Sequence, residues 1–326
     1  PLVLRSISLT ERALEGVKVL DLTHHLSGPY CTKLLADFGA EVLKVERPGG
    51  DPTRRVGPFL NDDIDPEKSL VFAYLNTNKQ SITLNLKSEK GIRVLKSLIA
   101  ESDVLVENFA PRVLASLGLG FEALQTINPR IVLTSISNFG QTGPYRDYKA
   151  ADIIEYAMGG LMYISGAYDR EPLKHAFNQA QFKAGTDGAA ATLMAMYHQR
   201  LTGEGQHVDI SIQEAVATGL RDVVNNFTYT GAVRRRQPNH SGDLSRIRAS
   251  SDGHLTPNPG IGAGLNWGMM VDFMGIPELG DDKFNTPSAR LFNAEELGQI
   301  LDDYFIKQNK YERFYAAHEK RFIFGV

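Results

Sequence analysis

Short apolar runs rich in β-branched side chains alternate along the first 140 residues with stretches whose apolar positions recur at helical spacing. The runs fall at 17–22, 41–45, 81–84, 103–106 and 131–136, and their composition predicts strands. Strands separated by helical stretches make βαβ units, which form a parallel sheet covered by helices on both faces. The pattern therefore predicts an α/β fold with a Rossmann-like, doubly wound sheet. A further strand is expected at 206–212, after the turn Thr202-Gly203-Glu204-Gly205, leading into a helix from Gln213.

Caps and breakers agree. Gly28-Pro29 precedes a helical stretch over 30–38 that Gly39 closes, and Pro is tolerated in a first turn because its missing N–H has no helical partner there. The stretch 87–100 follows Asn85 and sets Ile92, Leu95, Leu98 and Ile99 on one stripe, and Pro111 can open a short helix. Residues 150–166 read as helical and rich in small side chains. Residues 184–200 form a strongly apolar helix carrying Ala189, Ala190, Ala191, Met194 and Met196. Helices so poor in charge are expected to be buried against something large.

Composition shifts near Phe227. From there to about 292 the chain holds Arg234-Arg235-Arg236, scattered prolines and Gly260, Gly262, Gly264 and Gly268, before helical spacing resumes at 294–305. This divides the chain into a large domain over 1–226 and a smaller, loop-rich second domain over 227–326. The last residues, Gly325-Val326, follow the apolar Phe322-Ile323-Phe324 without a helix stop or polar tail, so the chain is expected to be cut short of its natural end.

A length of 326 residues suits one large or two moderate domains. Lys+Arg 35 against Asp+Glu 38 leaves a net charge of −3, which gives no support to a nucleic-acid partner. The single cysteine, Cys31, can form neither an intrachain disulfide nor a thiolate metal cluster, so no metal is expected and a reducing, cytoplasmic setting is favoured. No apolar run approaches the length of a membrane span, and no membrane partner is expected.

Several chemistries lose support because their motifs are missing: the phosphate loop of P-loop ATPases, the H-E-x-x-H of zincins, and the G-x-S-x-G elbow of α/β-hydrolases. After the first strand the chain runs Leu22-Thr23-His24-His25-Leu26-Ser27-Gly28-Pro29, without the G-x-G-x-x-G of a nicotinamide site. That turn lies where loops leave the carboxyl ends of strands and meet helix N-termini, a setting that favours anionic ligands. Two histidines capping a loop explain it equally well. Glu46-Arg47 ends the second strand where a ribose or phosphate can be held, and Lys79 precedes the third. Each is also an ordinary surface charge.

Taken together, these segments resemble family III CoA-transferases, the CaiB/BaiF group that includes formyl-CoA and carnitine CoA-transferases. The matching stretches are LEGVKVLDL (14–22), SGP (27–29), GAEVLKVERP (39–48), LNTNK (75–79), VENF (106–109), INPR (127–130) and TGEGQ (202–206). The resemblance implies a Rossmann-like large domain built from both chain ends, a smaller second domain, and an interlocked homodimer. It implies coenzyme A or an acyl-CoA as substrate, with a small carboxylic acid as the other partner. It carries over His25, Leu26, Arg47, Leu75, Lys79 and Lys149 as CoA contacts, with Arg47 and Lys79 on phosphates. It also matches Gly260, Gly262 and Gly264 to a glycine-rich substrate loop.

Members of this family use an Asp carboxylate that attacks the thioester of the acyl-CoA donor. Counting back from Thr202, the resemblance puts that position at Gln181, whose amide cannot serve as such a nucleophile. Three readings stay open. Asp187 can supply the carboxylate, although six helical residues turn about 240° past a full turn and face it away from residue 181. The Gln181 amide N–H₂ can instead polarise a thioester carbonyl for lyase, isomerase or hydratase chemistry. Or the chain binds CoA esters without transferring them. Asp152 is a candidate supporting acid, or a plain helix-start acid. The related racemases pair a His with an Asp, and the stretch 149–152 offers an acid without a histidine, which disfavours racemisation.

Overall fold

The computed structural model describes residues 12–236, 242, 244–258 and 266–326. The chain divides into two compact units, one running through Gly166 and resuming at Pro172–Arg235, the other made of Ala167–Glu171 and Arg236–Val326. The helix Arg221–Thr230, on which the compositional shift near Phe227 falls, belongs to the first.

In the first unit, β1 (Lys18–Asp21), β2 (Glu41–Glu46), β3 (Lys79–Thr83), β4 (Val104–Glu107), β5 (Val132–Ser137) and β6 (His207–Ser211) form one sheet. Its order is β3-β2-β1-β4-β5-β6 and every pairing is parallel. The winding therefore reverses between β1 and β4, which opens a crevice at their carboxyl ends.

Side chains alternate between two cores, as the pleat requires. Val19, Val42, Val104, Val106 and Val132 face one core with Cys31 and Leu35 of α1 (Ser27–Asp37). Leu20, Val45, Leu105 and Leu133 face the other, with Leu95 and Ile99 on the far side of the sheet from α1. Both faces of the inner strands β1, β2, β4 and β5 are covered, so these strands are mostly buried, while the edge strands β3 and β6 are partly exposed. A short α2 (Leu70–Leu75) leads into β3, while α3 (Glu89–Ala100) and α4 (Phe121–Ile127) cover the second face.

Residues 150–166 do not make one helix. Gly159 and Gly160, the latter at φ 86°, break it into α5 (Asp152–Met158) and a single turn at Leu161–Ile164. The apolar helix, α6 (Gln179–Thr202), begins earlier than its hydrophobic spacing suggests. Its buried stripe Ala180, Ala184, Gly188 and Thr192 steps by four residues, and these small groups let the helix lie close to the sheet. There the Thr192 and Thr134 hydroxyls meet at 2.7 Å. The opposite side of α6 stays open, with Met194, Tyr197 and Leu201 mostly exposed.

The second unit holds more regular structure than its glycines and prolines suggest. Strands β7 (Arg248–Ser250), β8 (Gly253–Asn258) and β9 (Ile323–Gly325) form an antiparallel sheet. With Trp267–Met274, Ala294–Phe305 and Lys310–Glu319 they enclose a core of Leu255, Met270, Leu297, Leu301, Phe305, Phe322 and Phe324. Gly260, Gly262 and Gly264 lie outside the described residues.

Candidate active site

The site is built on the loop between β1 and α1. His25 turns the chain at φ 63°, and Gly28 then brings α1 down onto Thr23: a β-carbon on Gly28 would stand 2.3 Å from Thr23 Cβ. Across the crevice the His24 N–H donates to Asn108 Oδ1 at 2.9 Å, and Asn108 Nδ2 returns a bond to the His24 carbonyl at 2.7 Å. This reciprocal pair ties the β1 and β4 loops together. Burial, and then the neighbouring His25, push His24 down to about 4, so it is neutral near pH 7. His25 is exposed and Leu26 half-buried. No side chain caps α1; at its start Ser27 and Gly28 are buried, Pro29 has no N–H, and the Tyr30 N–H donates to the Leu26 carbonyl at 2.9 Å.

Beneath this loop lies a sealed ionic cluster. Asp21 accepts from the Thr23 N–H and hydroxyl and from the Thr32 hydroxyl at 2.5–2.8 Å. Lys79 Nζ stands 3.1 Å from Asp21 Oδ2, and Lys44 Nζ, from the neighbouring strand, pairs with Asp51 at 3.1 Å. Burial alone would raise the Asp21 pKa, but the Lys44 and Lys79 ammonium groups and the two threonine hydroxyls hold it well below the carboxylate range. Lys79 also donates to the Pro29 carbonyl at 2.8 Å and to Asn76 Oδ1 at 3.0 Å. All three of its protons are thus occupied inside the protein, and burial lowers it to about 8. In this arrangement Lys79 supports the loop from below and has no proton free for a phosphate.

Arg47 is the contrasting case. It is exposed, its Nε donates to the Gly50 carbonyl at 3.3 Å, and among the described residues no carboxylate pairs with it. Lys149 is likewise exposed. Glu46, which the sequence offers to a ribose, is engaged elsewhere. Arg54 holds both of its oxygens at 2.8 Å, with the Ser81 hydroxyl and the Asp51 N–H also donating. Leu75 is wholly buried and belongs to the interior.

The start of α6 adjoins this loop because Gly185 has no side chain. A β-carbon there would sit 2.6 Å from the Ser27 carbonyl oxygen. One turn earlier stands Gln181, half-buried, whose Nε2 donates to both carboxylate oxygens of Glu155, at 3.0 and 2.8 Å. With its amide turned to satisfy both its ends, Asn138 donates to Glu155 Oε1 at 3.0 Å and accepts from the Ala150 N–H. Glu155 is fully buried, and burial pushes it up to about 7 despite the Gln181 bond.

Asp152 shares that helix face, three residues before Glu155. It accepts from the Ala180 N–H at 3.0 Å and pairs with Lys174 at 2.9 Å, so it caps and anchors α6. Asp187 lies two turns inside α6 and pairs with Lys183 at 3.3 Å. The structure thus brings Gln181, Glu155 and Asp152 together and leaves Asp187 apart. It also changes the reading of the Gln181 amide, because the donor end faces Glu155 and the carbonyl oxygen is the end left over.

Sequence reasoning missed Glu155, Asn138, Lys44 and Asp21. Two signals were present: the acids of Asp152-Ile153-Ile154-Glu155 share a helix face, and Lys44 interrupts an otherwise apolar strand.

Among the described residues no helix is long and apolar enough to cross a membrane, and no cluster of His, Cys, Asp and Glu is arranged to hold a metal. The chain matches the family model for CoA-transferase family III over residues 14–326. It is 37% identical over 304 residues to the succinyl-CoA:glutarate CoA-transferase of Mus musculus, covering 91% of this chain and 68% of that one. It is 36% identical over 327 residues to the formyl-CoA:oxalate CoA-transferase of Streptomyces avermitilis, covering 92% and 76%. Its fold superposes on a CaiB/BaiF family protein from Brucella suis with a TM-score of 0.79 at 32% identity, over 97% of this chain and 84% of that one. Matched by that family model from residue 14 onward and similar over some nine-tenths of its length to named members, the chain belongs to CoA-transferase family III.

Proposed function

We propose that the protein moves CoA between an acyl-CoA donor and a small carboxylic acid, binding the CoA along the carboxyl edge of the sheet. The observation that carries this reading is the likeness to proteins named for that reaction over some nine-tenths of the chain. The site supports it: Arg47 and Lys149 are exposed cations suited to the CoA phosphates, and Arg47 acts electrostatically on His24 in the β1–α1 loop. Glutarate and oxalate, the acids in the relatives' names, make small dicarboxylates the first acceptors to test.

The working form is an interlocked homodimer. The exposed Met194, Tyr197 and Leu201 on the outer side of α6 support a partner there, and light scattering measures its mass. The cytoplasm is the proposed setting, in keeping with the buried free thiol of Cys31.

The test mixes the purified protein with succinyl-CoA or formyl-CoA and a panel of acids, separating the CoA esters by chromatography. Formation of the acceptor's CoA ester supports the proposal. Absence of both exchange and CoA binding refutes it.

A second reading is favoured by one observation, an amide at position 181 where the resemblance expects a carboxylate. On that reading the protein binds CoA esters, or acts on them as a lyase or isomerase. CoA binding without exchange for any acceptor would select it.

A further inference from the structure

This inference rests on the CoA-transfer reading and concerns which group reacts. CoA passes between two acids by way of a protein when the protein offers a carboxylate that can accept an acyl group and yield it again. Gln181 offers none. Three carboxyl groups lie along the start of α6 and the face of α5, and two are already committed to cations: Asp187 to Lys183, and Asp152 to Lys174 and the Ala180 N–H.

Glu155 differs from both. It is fully buried, it is held by the amides of Gln181 and Asn138, and among the described residues no cation pairs with it. Neutral donors fix the orientation of a carboxylate without drawing down its basicity as an ion pair does, and a more basic carboxylate is the better nucleophile. Its raised pKa of about 7 agrees with that surrounding. The carboxylate also lies within 3.0 Å of the side-chain nitrogen of the half-buried Gln181, so it sits directly beneath position 181.

We propose that Glu155 is the acylated residue of this protein, with Gln181 covering its carboxylate and turning aside as the thioester arrives. A Glu155 oxygen attacks the thioester carbonyl carbon, the C–S bond breaks, and CoA leaves as the thiolate, giving an acyl–Glu155 anhydride. The thiolate attacks Glu155 Cδ, the bond from Cδ to the bridging oxygen breaks, and the donor acid departs with that oxygen as a carboxylate, leaving CoA on Glu155 as a thioester. The acceptor carboxylate attacks that thioester and expels the thiolate. The thiolate then attacks the acceptor's carbonyl carbon in the new anhydride, forming its CoA ester and freeing the Glu155 carboxylate.

The test incubates the full chain with succinyl-CoA, adds hydroxylamine, and maps the modified residue by peptide mass spectrometry. The expected product is a hydroxamate on Glu155. Glu155→Gln should lose the adduct and slow exchange at least about a thousandfold, with CoA affinity unchanged. Gln181→Ala, which uncovers the carboxylate, should form the adduct faster than the parent. A hydroxamate on Asp152 or Asp187, exchange undiminished in Glu155→Gln, or exchange with no adduct on the unmodified protein overturns the proposal while leaving CoA transfer standing. A parent protein that neither exchanges nor binds CoA sinks the transfer reading and this proposal with it.

Discussion

Lys79 Nζ and Asp21 Oδ2 stand 3.1 Å apart with both side chains almost wholly out of water, directly beneath the loop that carries His24 and His25. Removing the cation leaves an uncompensated buried charge, which costs about 3–5 kcal/mol. Lys79→Met is therefore expected to lower unfolding stability by that order in urea titrations. Asp21 has a depressed pKa in the fold, so its contribution is present above the ordinary carboxylate range and lost as pH falls. The variant should accordingly unfold in acid at a higher pH than the parent.

Arg47 should behave in the opposite way. Exposed and without a carboxylate partner among the described residues, it contributes little to the fold. Arg47→Ala is expected to leave stability within about 0.5 kcal/mol of the parent. CoA affinity should fall roughly five- to tenfold by calorimetry, with the difference shrinking in high salt. Equal affinity at low salt would remove Arg47 from the site.

Gly185→Ala sets two effects against each other. Alanine in a helix interior gains about 0.5–1 kcal/mol over glycine. Its β-carbon would meet the Ser27 carbonyl at 2.6 Å, and overpacking of this kind costs about 1–3 kcal/mol. The clash should win, giving net destabilisation with weaker CoA binding as the β1–α1 loop shifts. A variant as stable as the parent would show that the two helices have room to separate.

Glu155 ties stability to pH. Its folded pKa of about 7 lies above the 4.5 of a free glutamate, so the fold retains a proton that the unfolded chain releases between those values. Its contribution is therefore full below about pH 4.5 and declines as pH rises towards 8, by roughly 3 kcal/mol. Glu107 is also raised to about 7 and has the same sign, so the informative quantity is the difference between the parent and Glu155→Gln. That difference should slope with pH. A flat difference would show that Glu155 titrates alike in both states.

Exchanging the pair tests the geometry from the other side. Gln181→Asp alone would face a second carboxylate with Glu155, and two such groups must share a proton to remain close. The single variant is expected to lose stability above pH 7. Gln181→Asp combined with Glu155→Gln restores one amide and one carboxylate, and should recover stability together with hydroxylamine-trappable acylation, now at residue 181. Melting curves and peptide mapping check both statements.

Much of this arrangement was legible in the residues themselves. Apolar runs with β-branched side chains marked the inner strands of the parallel sheet, because a strand buried on both faces must be largely apolar at successive positions whatever its neighbours are. Ordered short motifs marked the family, and a single substitution, Gln181, marked its departure from the expected nucleophile. Partner choice was not legible. Lys79 and Arg47 look alike as basic residues beside strand ends, and one became a buried strut while the other stayed in water. That outcome depends on Asp21, 58 residues away in sequence. Glu155 and Gln181 are 26 residues apart, and they meet because the break at Gly160 and the cap from Asp152 to Ala180 bring α5 against the start of α6. Periodicity is a local property that each segment carries by itself. A counter-charge or a hydrogen-bond partner is chosen by packing between segments, and the chemistry of a carboxyl group follows from that choice.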